Sequence, residues 1–177
     1  MTRREIASAL SAFFLAPVFK VVEFVALPAA YRPDFLVVLA AVVGWSSDVW
    51  SAAPVGFALG LLEDLFVGRV LGMRAMSLAL ASAISSVLKG ALNPDSVFSK
   101  AISAGVAAAA ADIASFSILR ARGINVGVLY LLRWVLPATV AWSAVLAVPV
   151  GAAANGLARG IARLWPSPGE GRKGVTA

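Results

Sequence analysis

Residues 56–77 read GFALGLLEDLFVGRVLGMRAMS. Gly56, Gly60 and Asp64 recur at every fourth position, so a helix would carry them on one slowly drifting face. Gly68 and Gly72 bracket a tight turn, and a second run of small and apolar residues follows it. The stretch therefore reads as two helices folded back on one another.

The rest of the chain extends this pattern. Of its 177 residues, 60% are hydrophobic and 14% charged, with a mean hydropathy of +0.89. A soluble domain averages about 45–50% apolar and about 25% charged. A chain of this size cannot hide so much apolar surface from water. A bilayer removes that difficulty, because the outer surface is then apolar as well. Six apolar runs stand out, near 5–28, 34–50, 53–68, 71–89, 97–119 and 127–153. The second and third are short against the roughly 20 residues of a spanning helix. Gly, Pro or polar residues punctuate each break: Pro28 and Pro33, Ser46 to Asp48 with Pro54, Asn93-Pro94-Asp95, and Arg120 to Gly123. The expected fold is all-α, a polytopic membrane bundle of about six transmembrane helices. Residues 1–156 form the transmembrane domain, and 157–177 form an interfacial and disordered cytoplasmic tail. Lys20 and Glu23 interrupt the first run, which favours a retained helix over a cleaved signal peptide.

Composition also excludes chemistry. The chain has no Cys and no His, which removes thiolate and imidazole metal sites, Cys nucleophiles and His-based triads. Neither a P-loop nor a dinucleotide fingerprint is present. Glu63 and Asp64 are adjacent, point about 100° apart on a helix and so form no shared-proton dyad. The expectation is a protein without catalytic, metal or cofactor sites. The net charge of +6 is spread between apolar runs, which fits snorkelling at membrane edges rather than nucleic acid. Arg3, Arg4, Lys89, Lys100, Arg159, Arg163, Arg172 and Lys173 fall on the side of the two ends. Arg32, Arg69, Arg74, Arg120, Arg122 and Arg133 fall on the other. This slight excess favours both termini in the cytoplasm. Trp45, Trp50, Trp134 and Trp165 lie near run ends, as interfacial anchors do.

The charges inside the runs are the candidate working residues, because an ionised group in a membrane is costly and faces a partner or a watery cavity. The turn from Gly68 to Gly72 brings Arg74 within reach of Asp64 and predicts an ion pair that locks the hairpin. The alternative is that Glu63, Asp64, Arg69 and Arg74 all extend to the interface. Lys20 and Glu23, three residues apart, could pair with each other or snorkel. Asp112 lies deep in an Ala-rich run. Gly56-x-x-x-Gly60 permits a close helix approach, inside the bundle or to a partner.

Two stretches resemble a known family, the rod shape-determining protein MreD. Arg32-Pro33-Asp34-Phe35-Leu36 resembles its RP(D/N) motif at the start of the second helix. The segment from Gly56 to Ser77 resembles its central hairpin, through Gly56-Phe57, Gly60, Asp64-Leu65, Gly68 and Leu71-Gly72. Asp112-Ile113 resembles an acid in the fifth helix of some members. Glu63 departs from the pattern, since an apolar residue is common there, and Arg69 stands where a small or polar residue is usual. The resemblance implies a non-enzymatic subunit of the bacterial cell-elongation machinery in the inner membrane. It implies binding to MreC, a single-pass membrane protein. RodA, a penicillin-binding transpeptidase and MreB would belong to the same complex, which supports peptidoglycan synthesis. It further implies a fold similar to the substrate-binding subunits of energy-coupling-factor transporters, so a small-solute-binding transporter subunit is the alternative. The residues expected to bind a partner or hold the structure are Arg32, Pro33, Asp34, Gly56, Gly60, Asp64, Gly72, Arg74 and Asp112. The Gly-lined face is the expected groove for the MreC transmembrane helix.

Overall fold

A computed structural model describes residues 3–26, 34–67, 71–93, 96–124 and 127–164. Among them the helices are α1 (Arg3–Ala26), α2 (Phe35–Ser46), α3 (Val49–Val67), α4 (Met73–Ala91) and α5 (Val97–Ala121). A short α6 (Val128–Tyr130) leads through a π-helical segment (Leu131–Val135) into α7 (Leu136–Leu164). Strands are absent from the described residues. Each of the six expected runs is helical over most of its described residues, and α7 continues past residue 157 to Leu164.

The shortest of the long elements is the centre. α2 has 12 residues, FLVVLAAVVGWS, apolar on every side. A helix without a polar face is stable only where all its faces are covered. Phe35 to Ala41, Val43 and Gly44 are all buried, and α1, α3, α4, α5 and α7 each pack against it. At about 18 Å it is shorter than the hydrocarbon core of a bilayer, and its neighbours provide the lipid-facing wall. Among the described residues four helical stretches are long and apolar enough to cross a membrane: Glu5–Val22, Val49–Phe66, Val97–Ala121 and Leu132–Ile161.

α4 is more polar, and turns that polarity inward. Its buried serines bind three neighbours. Ser85 Oγ donates to the Ala41 carbonyl of α2 at 2.7 Å and lies 2.8 Å from Ser103 Oγ of α5. Ser82 Oγ donates to the Ala52 carbonyl of α3 at 3.0 Å, and Ser86 Oγ to the Ser47 carbonyl at 2.9 Å. Ser77 Oγ meets Ser115 Oγ of α5 at 2.8 Å. Such hydroxyls act as polar glue where lipid supplies no hydrophobic drive for helices to associate.

One break moves. Pro54 lies inside α3, not between runs. The helix has already begun, because the Asp48 carbonyl accepts from Ser51 N at 2.9 Å and from Ala52 N at 2.8 Å. A membrane helix tolerates an internal proline when its neighbours satisfy the freed backbone group.

Candidate functional site

The charges gather where α1 and α3 end and α2 and α4 begin. α3 and α4 form the most extensive helix pair, and glycine sets their spacing. A Cβ on Gly60 would stand 2.5 Å from Ala75 Cα and 2.6 Å from Ala75 N. A Cβ on Gly56 would stand 2.5 Å from the Leu78 carbonyl oxygen. Gly44 of α2 makes the same approach to α4, where a Cβ would lie 2.9 Å from Ser85 Cβ. The glycine face is thus closed by α4. This corrects the expectation of a groove for an outside helix: the small-residue contact is used up within the bundle.

That close approach lets Asp64 cap its neighbour. Gly72, the residue before α4, has a left-handed φ of 92° and no side chain to cap the helix. Asp64, one turn beyond Gly60, accepts instead from Gly72 N at 2.8 Å, Arg74 N at 3.2 Å and Ala75 N at 3.3 Å. A carboxylate there satisfies donors that no intrahelical carbonyl can reach, and opposes the positive end of the helix dipole. Asp64 is 2% exposed.

The Arg74 side chain goes elsewhere. Its guanidinium pairs with Asp34, and its Nε lies 3.3 Å from Glu63 Oε2. The expected Asp64–Arg74 ion pair is corrected accordingly: Asp64 holds the backbone of that residue, while Asp34 and Glu63 hold the guanidinium. Lys20 Nζ of α1 approaches Glu63 Oε1 at 2.9 Å, so Lys20 bonds across helices to α3. The Glu23 side chain lies outside the described residues. Asp34 has two roles, since its Oδ1 also accepts from Val37 N at 3.2 Å and caps α2. Two cations and three carboxylates from four helix ends therefore meet, and the N-terminal dipoles of α2 and α4 offset the excess negative charge.

Asp112 stands apart on α5. Thr139 Oγ1 of α7 donates to its Oδ2 at 2.6 Å, which ties α5 to the start of the last helix. Arg133 is exposed on the π-helical segment. Arg32 and Pro33 lie outside the described residues. Sequence reading did not find the buried serines of α4, although Ser77, Ser82, Ser85 and Ser86 stand at helical spacing in an apolar run. Nor did it find the Lys20–Glu63 and Asp34–Arg74 pairs, which join residues about 40 positions apart and leave no local trace.

Among the described residues no group of three or more acidic side chains is arranged so that it could hold a metal ion. The cluster can hold helix ends in register and present fixed charge at one end of the bundle. A family model described as rod shape-determining protein MreD matches residues 4–153. No curated protein and no solved structure matches the chain.

Proposed function

Since the chain belongs to the MreD family, whose role is in rod shape determination, we propose that it is a non-enzymatic membrane subunit of the bacterial rod complex. In this reading it binds MreC and supports peptidoglycan synthesis beside RodA, a penicillin-binding transpeptidase and MreB. It lies in the inner membrane with both termini in the cytoplasm, so the charge-linked end faces the periplasm. The observation that carries the reading is the reach of the family match, which takes in every spanning stretch up to residue 153.

The packing supports a particular mode of binding. Because α4 fills the glycine face, a partner helix has to lie on the outside of the bundle. The outer surface of the α3–α4 hairpin is the site we propose. There Phe57, Leu65, Phe66, Leu71 and Met76 are all exposed, and the last four surround the charge-linked end. A single-pass helix seated there would pack on apolar side chains through shape and van der Waals contact.

The test is capture of the tagged protein from gently solubilised native membranes, with a photo-crosslinking amino acid at Phe66 in one sample and at Phe14 of α1 in another. Recovery of MreC, crosslinked from Phe66 and not from Phe14, supports both the function and the surface. Recovery of MreC crosslinked only from Phe14 moves the surface to α1. Recovery of a transporter coupling subunit with paired ATPases, and no MreC, overturns the function in favour of solute uptake.

A further inference from the structure

At the charge-linked end of the bundle, the described carboxylates already have partners. Asp34 and Glu63 pair with Arg74, and Glu63 also with Lys20. Asp64 caps α4, and Asp112 accepts from Thr139. Three further cations lie at the same end. Arg120 and Arg122 close α5, and Arg133 stands on the π-helical segment that leads into α7. All three are exposed, and among the described residues no carboxylate pairs with any of them.

These arginines stand near one level. The bond from Thr139 Oγ1 to Asp112 fixes α5 and α7 against each other. By helical rise, Arg120 and Arg122 stand roughly 12 and 15 Å beyond Asp112, and Arg133 about 9 Å beyond Thr139 toward the same end. Since α5 packs against α7, the three side chains border one corner of the bundle. That corner is where headgroups sit, because the apolar spanning stretch of α5 ends at Ala121, between Arg120 and Arg122. Leu129, Leu132 and Trp134 are exposed beside the arginines, and a tryptophan at that depth suits the membrane interface. Leu132, Arg133 and Trp134 are consecutive, so the π-helical segment turns apolar and cationic groups outward together. Such segments are rare and recur at functional sites. A snorkelling arginine needs only water. Three arginines without an acid, set against exposed apolar side chains, complement a phosphate that is tied to an acyl chain. Guanidinium groups bind phosphate oxygens through paired, charge-assisted hydrogen bonds.

We propose that this corner is a docking surface for an anionic phospholipid in the leaflet at that end, with its phosphate held by Arg120, Arg122 and Arg133 and its acyl chains lying along Leu132 and Trp134. The lipid rests on the outer surface of α5 and α7. A zwitterionic lipid brings the same phosphate with a cation attached, which the arginines repel.

The experiment uses the full chain in nanodiscs of phosphatidylcholine, with Trp45, Trp50, Trp142 and Trp165 changed to Phe so that Trp134 alone reports. Phosphatidylglycerol brominated on its acyl chains is titrated in, and phosphatidylcholine brominated in the same way serves as control. The expected result is half-maximal quenching of Trp134 at a mole fraction at least about fivefold lower for the anionic lipid, the preference that one cation at an anionic surface provides. A triple variant, Arg120→Gln with Arg122→Gln and Arg133→Gln, should bring the two lipids to equal quenching. Its three positions are exposed, so the fold should survive, and circular dichroism checks that it does. The comparison of the two lipids on the chain with its arginines intact decides the proposal without the variant. Equal quenching there overturns it and leaves the arginines to an acidic protein partner. A preference that persists in the folded triple variant overturns it as well. Loss of the preference in millimolar inorganic phosphate at constant ionic strength would assign the arginines to a soluble anion and overturn it too.

Discussion

Asp64 serves α4 from outside that helix, and its adjacent residue serves a different partner. Consecutive residues on a helix point about 100° apart. Asp64 therefore faces the backbone at the start of α4, while Glu63 faces Lys20 and Arg74. Glu63 is the residue through which α1 and α4 are linked. Replacing Asp64 by Asn removes charge from three backbone hydrogen bonds and should destabilise the fold by about 1–2 kcal/mol. Unfolding by SDS in mixed micelles measures this, and unchanged stability would contradict the capping role. Gly72 has open space around a Cβ, yet its φ of 92° is strained for any L side chain. Gly72→Ala should therefore cost about 1–2 kcal/mol by backbone strain alone, and Gly72→Asn less.

At the scale of helices, the α3–α4 pair separates glycines that pack from glycines that do not. Gly60→Ala drives a methyl group into the backbone of α4 and should cost at least about 2 kcal/mol, in the range of core overpacking. Gly90, also helical, has nothing within 4 Å of a Cβ. Gly90→Ala should stabilise by about 0.4–1 kcal/mol through the unfolded chain. The same SDS titration reads both, and opposite signs are the expected outcome. Ser85→Ala breaks the links to Ala41 and Ser103 together, and a loss of about 1 kcal/mol is expected from the range for interhelical hydroxyls.

Across the whole molecule, the ion cluster joins α1 to the hairpin and both to the buried α2. Arg74→Met leaves Asp34 and Glu63 facing an apolar side chain and should cost about 3–5 kcal/mol, as when one partner of a buried pair is removed. Adding Glu63→Gln to that variant should recover part of the loss. A double variant no more stable than Arg74→Met alone would show that the two charges are not coupled. Orientation is directly measurable because the chain has no native Cys. With the termini in the cytoplasm, a Cys at Gly123 should react with an impermeant maleimide added outside the inner membrane, and a Cys at Asp48 should not.

The amino-acid sequence alone determined that this chain is a helical membrane protein, because hydropathy and turn chemistry are local and additive along the chain. It also placed the α3–α4 hairpin and the residues that matter there: Gly56, Gly60, Asp64, Gly72 and Arg74. Tertiary structure decided what those residues touch. Gly60 closes on α4 rather than on an outside helix, because only the folded pair brings the Ala75 backbone against it. Arg74 reaches Asp34 and Glu63 rather than Asp64, because the α4 backbone already occupies the Asp64 carboxylate. α2 stands at the centre although it is the shortest of the long helices, because burial depends on how many neighbours cover a helix and not on its length. Pairings across some 40 residues arise from helix packing in three dimensions, and spacing along the chain does not encode them.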